Sequence, residues 1–314
     1  MRELRQLSIA VVFCAAAVWL AASRVESAGQ GAPAAGSVFR FHHVHLNTTS
    51  ATKAIDFYTS HFNAQRGLYG GKLPAVVAQG KWLLFNEVKD APAWPVVSPL
   101  YHIGWGAPDM KATYETLRAS GVAFETPITD ISQVIEAGSG RVFFAYVDGP
   151  DHAMIEINTA RDDNFQHVHF LSDDTVATGQ WYIKHFGMGS GNPNPSREAK
   201  THNGLQIYPY IGATLDGIQF FWYPTAFGKG SYPEAWKGRS GFASSRGRVI
   251  DHIAFAVDGL DAALARLEAD GVKVLQRPQT TMNGLLRSAF VQAPDGVELE
   301  LVEGRGQVSG SGGR

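Results

Sequence analysis

The sequence predicts an α+β chain of four strand–helix–strands units grouped as two pairs, and three observations carry that prediction. The stretch "FHHVHL" (41–46) returns as "FQHVHF" (165–170), and the same spacing of 124 residues relates "FYTSHF" (57–62) to "WYIKHF" (181–186). Two further strand-like segments bear a histidine, "YHIGW" with His102 and "DHIAFAV" with His252, and they alternate with the first pair. The segments "RVFFAYVDGPDHAMIEI" (141–157) and "RSAFVQAPDGVELEL" (287–301) also match, each reading strand, Pro-Asp turn, strand.

Along the chain, Arg2 and Arg5 precede the apolar run "SIAVVFCAAAVWLAA" (8–22), and Ala21 and Ser23 supply the small residues of a cleavage site. That pattern reads as a signal peptide over residues 1–28. The run is shorter than the roughly 20 residues of a spanning helix, which places an uncleaved anchor second. The single cysteine, Cys14, lies in this run, so the mature chain carries no thiol and no disulfide. An exported bacterial protein, periplasmic or secreted and free of the membrane after cleavage, is the expectation. A linker (29–37) rich in Gly, Ala and Pro leads to a first domain of two units (38–160) and a second (161–304), and the tail (305–314) reads as disordered.

Within the units, "DMKATYETLRASGV" (109–122) and "GLDAALARLEADGV" (259–272) read as helices. Leu260, Leu264 and Leu267 recur at helical spacing, Asp258 or Asp261 is available as a cap, and Gly121 and Gly271 mark the ends. The second pair is longer, its extra residues falling in loops at 187–204 and 223–248. The latter carries Phe227, Tyr232, Trp236 and Phe242, too aromatic for a solvated linker, and reads as a packed flap.

With 45% hydrophobic and 18% charged residues the chain buries a sizeable core, and a net charge of −2 without long charged runs gives no footprint for nucleic acid. A small molecule is the expected partner. Strand alternation puts His43 with His45, and His167 with His169, on common faces. His102 shares its face with Gly104 and Gly106, and His252 with Ala254 and Ala256, which leaves room for a ligand or a metal. Glu156 and Glu300 stand between aliphatics at equivalent places in the closing strands. Each domain thus has two histidines and a glutamate, His43, His102 and Glu156, then His167, His252 and Glu300. Two imidazoles and one carboxylate bind a divalent metal on one face and leave positions open. The alternative for each histidine is a hydrogen-bonded core residue, and it would have to hold at four equivalent positions together. His61 and His185 repeat near helix ends, where they cap or pack, and His42, His152 and His202 lack a repeat partner and read as surface residues.

These motifs resemble the vicinal oxygen chelate superfamily, which includes glyoxalases, extradiol dioxygenases, fosfomycin-resistance enzymes and bleomycin-binding proteins. The resemblance covers about residues 38–303. It implies βαβββ modules paired into two cup-shaped open barrels, with His43, His102 and Glu156 as metal positions of the first cup and His167, His252 and Glu300 as those of the second. Leu84 and Phe221 stand where glyoxalases place a fourth ligand. A cup with three ligands resembles the extradiol dioxygenases or the fosfomycin-resistance enzymes; the expected export weighs against the latter and against glyoxalases, which use cytosolic thiols, and the extradiol signature tyrosine corresponds to Tyr146. Phe290 replaces it in the other domain, Gly149 and His152 depart from the pattern, and the signature's further histidine is replaced by Ala137 and Thr281. His45 and His169 are candidates for its acid–base role or for an alternative ligand, with strand cross-bonding as the other reading.

The resemblance leads to an exported metal-dependent enzyme, a dioxygenase-like oxidoreductase acting on a small chelating, phenolic substrate. Fe(II) is favoured over Mn(II) or Zn(II). The rivals are a glyoxalase-type lyase or isomerase and a non-catalytic small-molecule binding protein. The larger loops point to the second cup as the working one, whereas Tyr146 points to the first. Monomer and homo-oligomer are both open, because four modules close two cups within one chain.

Overall fold

The computed structural model describes residues 38–304 apart from 135–139, 193–194, 203–204 and 282–283. The expected signal peptide with Cys14, the linker, Ala137 and the tail lie outside the described residues, as does the side chain of His202.

The described chain is α+β, with two large open sheets. Four modules are recognised by their first strands, Phe39–Thr48 (module one), Leu100–Ala107 (two), Phe165–Ser172 (three) and Ile250–Val257 (four). In modules one, two and four a helix follows and three more strands complete the unit. Module three places only Ile211–Leu215 and Ile218–Pro224 beside its first strand, while Lys200–His202 and Leu205–Ile207 form a separate hairpin.

The pairing of modules differs from the expected one. The eight-stranded sheet joins module one to module four through antiparallel pairing of Phe39–Thr48 with Ile250–Val257. The seven-stranded sheet joins module two to module three through Leu100–Ala107 and Phe165–Ser172. Each cup is therefore built across the two halves of the sequence, an outer cup from modules one and four and an inner cup from modules two and three.

The apolar core explains this. Phe41, Val44 and Leu46 face the helix side of their sheet, where Phe41 contacts Phe165 and Phe220 of the other sheet and Phe255 of its own. Helix Ala51–His61 of module one places Tyr58 and Phe62 on Trp105 of module two. Helix Thr175–Phe186 of module three places Phe186 on Phe255 of module four. Consecutive modules thus share their helix-side apolar faces, which turns their histidine-bearing faces apart and leaves each to find a partner in the other half.

Local signals act as elementary chemistry dictates. Ser50, Asp109 and Asp174 accept a hydrogen bond from the backbone three residues on and start their helices. The helix Leu260–Ala269 departs from expectation. Its N-cap is Gly259 at φ 79°, without a side-chain cap bond, so neither Asp258 nor Asp261 fills that role. The aromatic flap folds into two short helices, Thr225–Ser231 and Pro233–Trp236. No described helix is long and apolar enough to cross a membrane.

Candidate metal centres

Strand register lays the candidate residues out in rows. In the inner cup His167, Gly104, Glu156 and Tyr146 stand side by side on four adjacent strands, and His169 pairs with His102 in the next row. In the outer cup the matching row is His43, Ala254, Glu300 and Phe290, with His45 paired to His252. The structure brings all the sequence-predicted ligands into two clusters but regroups them. His43 meets His252 and Glu300, and His167 meets His102 and Glu156. The expected sets His43, His102, Glu156 and His167, His252, Glu300 do not form, because contiguous modules pair through their helix sides.

In the outer cup Glu300 Oε2 lies 3.2 Å from both His43 Nε2 and His252 Nε2. In the inner cup Glu156 Oε2 lies 2.9 Å from His102 Nε2, and Glu156 Oε1 lies 4.0 Å from His167 Nε2. All six residues are buried. His169 is buried as well, whereas His45 is half-buried and stacks on His252 with ring centroids 4.6 Å apart.

The residue ahead of each ligand histidine was missed by sequence reasoning. Register shifts leave His42, Gln166, Tyr101 and Asp251 as the extra residues of β-bulges. Each bulged residue touches the imidazole that follows it. Asp251 Oδ1 accepts from His252 Nδ1 at 2.6 Å, Gln166 Oε1 lies 3.3 Å from His167 Nδ1, His42 Nδ1 lies 2.7 Å from His43 Nδ1, and the Tyr101 ring packs edgewise on His102. His42 is therefore a buried neighbour of the site, correcting the surface reading. His152, exposed and paired with Asp148, does lie at the surface. Asn158 Nδ2 donates to Glu156 Oε1 at 3.0 Å, and Arg246 donates to Asp251 at 3.0 Å while its guanidinium lies over the Phe290 ring.

The electrostatics follow from this packing. Burial opposes ionisation of Glu300, yet hydrogen bonds from His252 and His43 hold its pKa well below the ordinary value. Glu156 behaves likewise, burial being outweighed by His102, His167 and Asn158. Burial lowers the pKa of His167 to about 4 and of His45 to about 3, and takes His169 well below its ordinary value. Neutral imidazoles are the metal-binding form. In His252 burial is overcome by Asp251 and Glu300, which raise its pKa.

The donor set fits a divalent cation. His167 Nε2 and His169 Nδ1 are buried without a hydrogen-bond partner, and His43 Nε2 and His102 Nε2 face only a carboxylate oxygen. An unsatisfied buried polar atom costs roughly 1–3 kcal/mol, so several nitrogens turned on a carboxylate mark a place where another acceptor of lone pairs belongs. One ligand atom from each of His102, Glu156, His167 and His169 lies within 4.8 Å of the others, and the same holds for His43, His45 and His252.

The surroundings of the cups differ. The flap closes over the inner cup, where Tyr101, Tyr146, Phe221, Tyr223, Phe227 and Trp236 form one buried cluster. Trp236 is anchored by donating to the Val96 carbonyl at 3.1 Å. A cavity of about 390 Å³ reaches the same cup, lined by His169, Phe221, Gln166 and Asn158, with Lys81 and Asp216 paired among its walls.

The family model described as Glyoxalase/Bleomycin resistance protein/Dioxygenase superfamily matches residues 40–157 and 164–301. No curated protein sequence matches the chain significantly. Among solved structures, glyoxalase I from Zea mays is similar at 16% identity and a TM-score of 0.59, covering 85% of this chain and 93% of that one. A putative dioxygenase from Bacillus subtilis aligns at 12% identity and a TM-score of 0.57, covering 86% of each chain. At these identities the likeness is one of fold. The two matched segments span most of the chain and contain all eight clustered residues, and the chain belongs to the glyoxalase/bleomycin resistance protein/dioxygenase superfamily.

Proposed function

We propose that the chain is an exported, divalent-metal-dependent enzyme that carries out a dioxygenase-like oxidation of a small, oxygen-bearing, phenolic molecule in the inner cup. The observation that carries this reading is the convergence of His102, His167 and Glu156 on one buried point with Tyr146 next in the row and a cavity alongside. The two sequence clues that conflicted agree once modules two and three are paired. Both Tyr146 and the aromatic flap belong to the inner cup.

The chain's own groups have separate tasks. His102, His167 and Glu156 would hold the cation, which when bound would supply Lewis-acid chemistry and, as Fe(II), redox chemistry; Mn(II) and Zn(II) are the alternatives. Gln166 accepts the Nδ1 proton of His167, which leaves the Nε2 lone pair turned to the centre. Asn158 fixes the Glu156 carboxylate. Burial, then the charge of Glu156, pushes the Tyr146 phenol well above its ordinary pKa, so it stays protonated next to Glu156 and can serve as a proton donor. The aromatic cluster keeps bulk water from the centre, and the cavity admits the substrate. In the outer cup His45, half-buried against His252, is the group placed to exchange a proton. Export rests on the apolar run behind Arg2 and Arg5.

Oxygen uptake by the Fe(II)-loaded mature protein over a panel of catechols tests the reading. Tyr146→Phe is expected to keep its metal and lose about 100-fold in kcat, within the usual range for a proton-transfer residue. Wild-type turnover in that variant, or no uptake with any catechol by the loaded wild type, contradicts it.

A further inference from the structure

Resting on the reading of the inner cup as a metal centre, we infer that His169 is its fourth protein ligand, giving a three-histidine, one-glutamate set. Three observations converge on this. One nitrogen of His169 lies within 4.8 Å of the ligand atoms of His102, His167 and Glu156 together. Its ring is 4.2 Å from that of His102 and 4.7 Å from that of His167, centroid to centroid, because it shares the strand face of His167 and the row of His102. It is 3% exposed and its Nδ1 has no hydrogen-bond partner.

On the side away from the cluster, the ring contacts of His169 are aromatic. Across the parallel strand it faces Phe221, and its remaining ring contact on that side is Tyr223, edge to face. A neutral imidazole packed against two others and two aromatics, with a buried nitrogen unpaired, is costly unless a lone pair finds an acceptor. A cation held by His102, His167 and Glu156 is within reach to be that acceptor.

The outer cup supplies the contrast within the same chain. His45 occupies the repeat-equivalent position, yet it is half-buried and lies nearly parallel to His252, at 22° between ring planes. The outer centre instead spends a carboxylate behind its ligand, Asp251 on His252 Nδ1, where the inner cup has Tyr101. His45 still brings a nitrogen within 4.8 Å of those of His43 and His252, so the cups differ in the burial of this second histidine and in the group behind the ligand, not in the number of nearby nitrogens.

The test counts imidazoles directly. A parent protein carrying His43→Ala, His252→Ala and Glu300→Ala, in which the outer cluster is dismantled, is loaded with one equivalent of Cu(II) and examined by pulsed electron paramagnetic resonance. Three coordinated imidazoles, falling to two with at least about tenfold weaker Cu(II) binding when His169→Ala is added, are expected. Two imidazoles in the parent, whose His169 is intact, overturn the assignment while leaving the metal reading standing. If the parent binds no Cu(II) although its circular dichroism matches wild type, the metal reading of the inner cup fails and the assignment falls with it.

Discussion

At the scale of residues, the chemistry of each centre is set by groups one atom behind the ligands. Asp251 accepts from His252 Nδ1 and is itself held by Arg246 and the Gly247 backbone N–H, so the imidazole is fixed with Nε2 turned to Glu300. Such partners typically account for about 10–100-fold in metal affinity. Asp251→Ala is therefore expected to weaken the outer centre by about that factor and leave the inner one unchanged, as read by competition with a chromophoric chelator. Equal weakening at both centres would contradict the account. The ligand candidates themselves were legible in the sequence, because strand periodicity puts His43 beside His45 and the repeat shows the pattern twice. Asp251, Gln166, Tyr101 and His42 were not. A β-bulge is a property of the register between two strands far apart in sequence, and nothing local in "DH", "QH", "YH" or "HH" reports it.

At the scale of elements, a strand without side-chain bulk is what lets the inner row close. Gly104 sits between His167 and Glu156, and a Cβ there would come 2.0 Å from His167 Nε2. Gly104→Ala is expected to cost the inner centre its metal while the outer, whose equivalent is already Ala254, keeps its own. Metal content by elemental analysis decides this, and two equivalents retained would show that the strands have room to spare. The Pro-Asp turns tie elements together in the same repeated way. Asp151, left-handed at φ 53°, binds Thr48 Oγ1 and the Thr49 backbone N–H, joining module two to module one. Burial opposes its ionisation, but those hydrogen bonds hold its pKa below the ordinary 3.8. A lowered carboxyl stabilises the fold above pH 3.8, and that contribution fades as pH falls through the lower folded value. Asp151→Asn should therefore lower stability at neutral pH and flatten the loss on acidification below that point, as followed by urea titration across pH. An unchanged acid limb would remove Asp151 from the account. The turns were readable from Pro-Asp and the helices from their apolar spacing and closing glycines. The start of the last helix was not, since Gly259 takes the cap with a left-handed backbone that no side-chain rule foretells.

At the scale of the whole molecule, two halves that look self-contained in sequence share both of their centres. The repeat, the module count and the α+β class were all visible in "FHHVHL" and its copies. The partner of each module was not, because it depends on which faces the helices cover. Tyr58 and Phe62 of the first helix reach Trp105 in the next module, and that contact turns the histidine faces of modules one and two away from each other. The same pairing brings Tyr146 and the flap, which in sequence pointed to different cups, into one cluster.

The central claim is that His43 belongs with Glu300 and not with Glu156, and metal stoichiometry in double variants tests it most directly. His43→Ala/Glu300→Ala should lose one of two equivalents, because both changes fall on the outer centre. His43→Ala/Glu156→Ala should lose both. The reverse outcome, one equivalent retained in the second pair and none in the first, would place the cups within the halves and contradict the account.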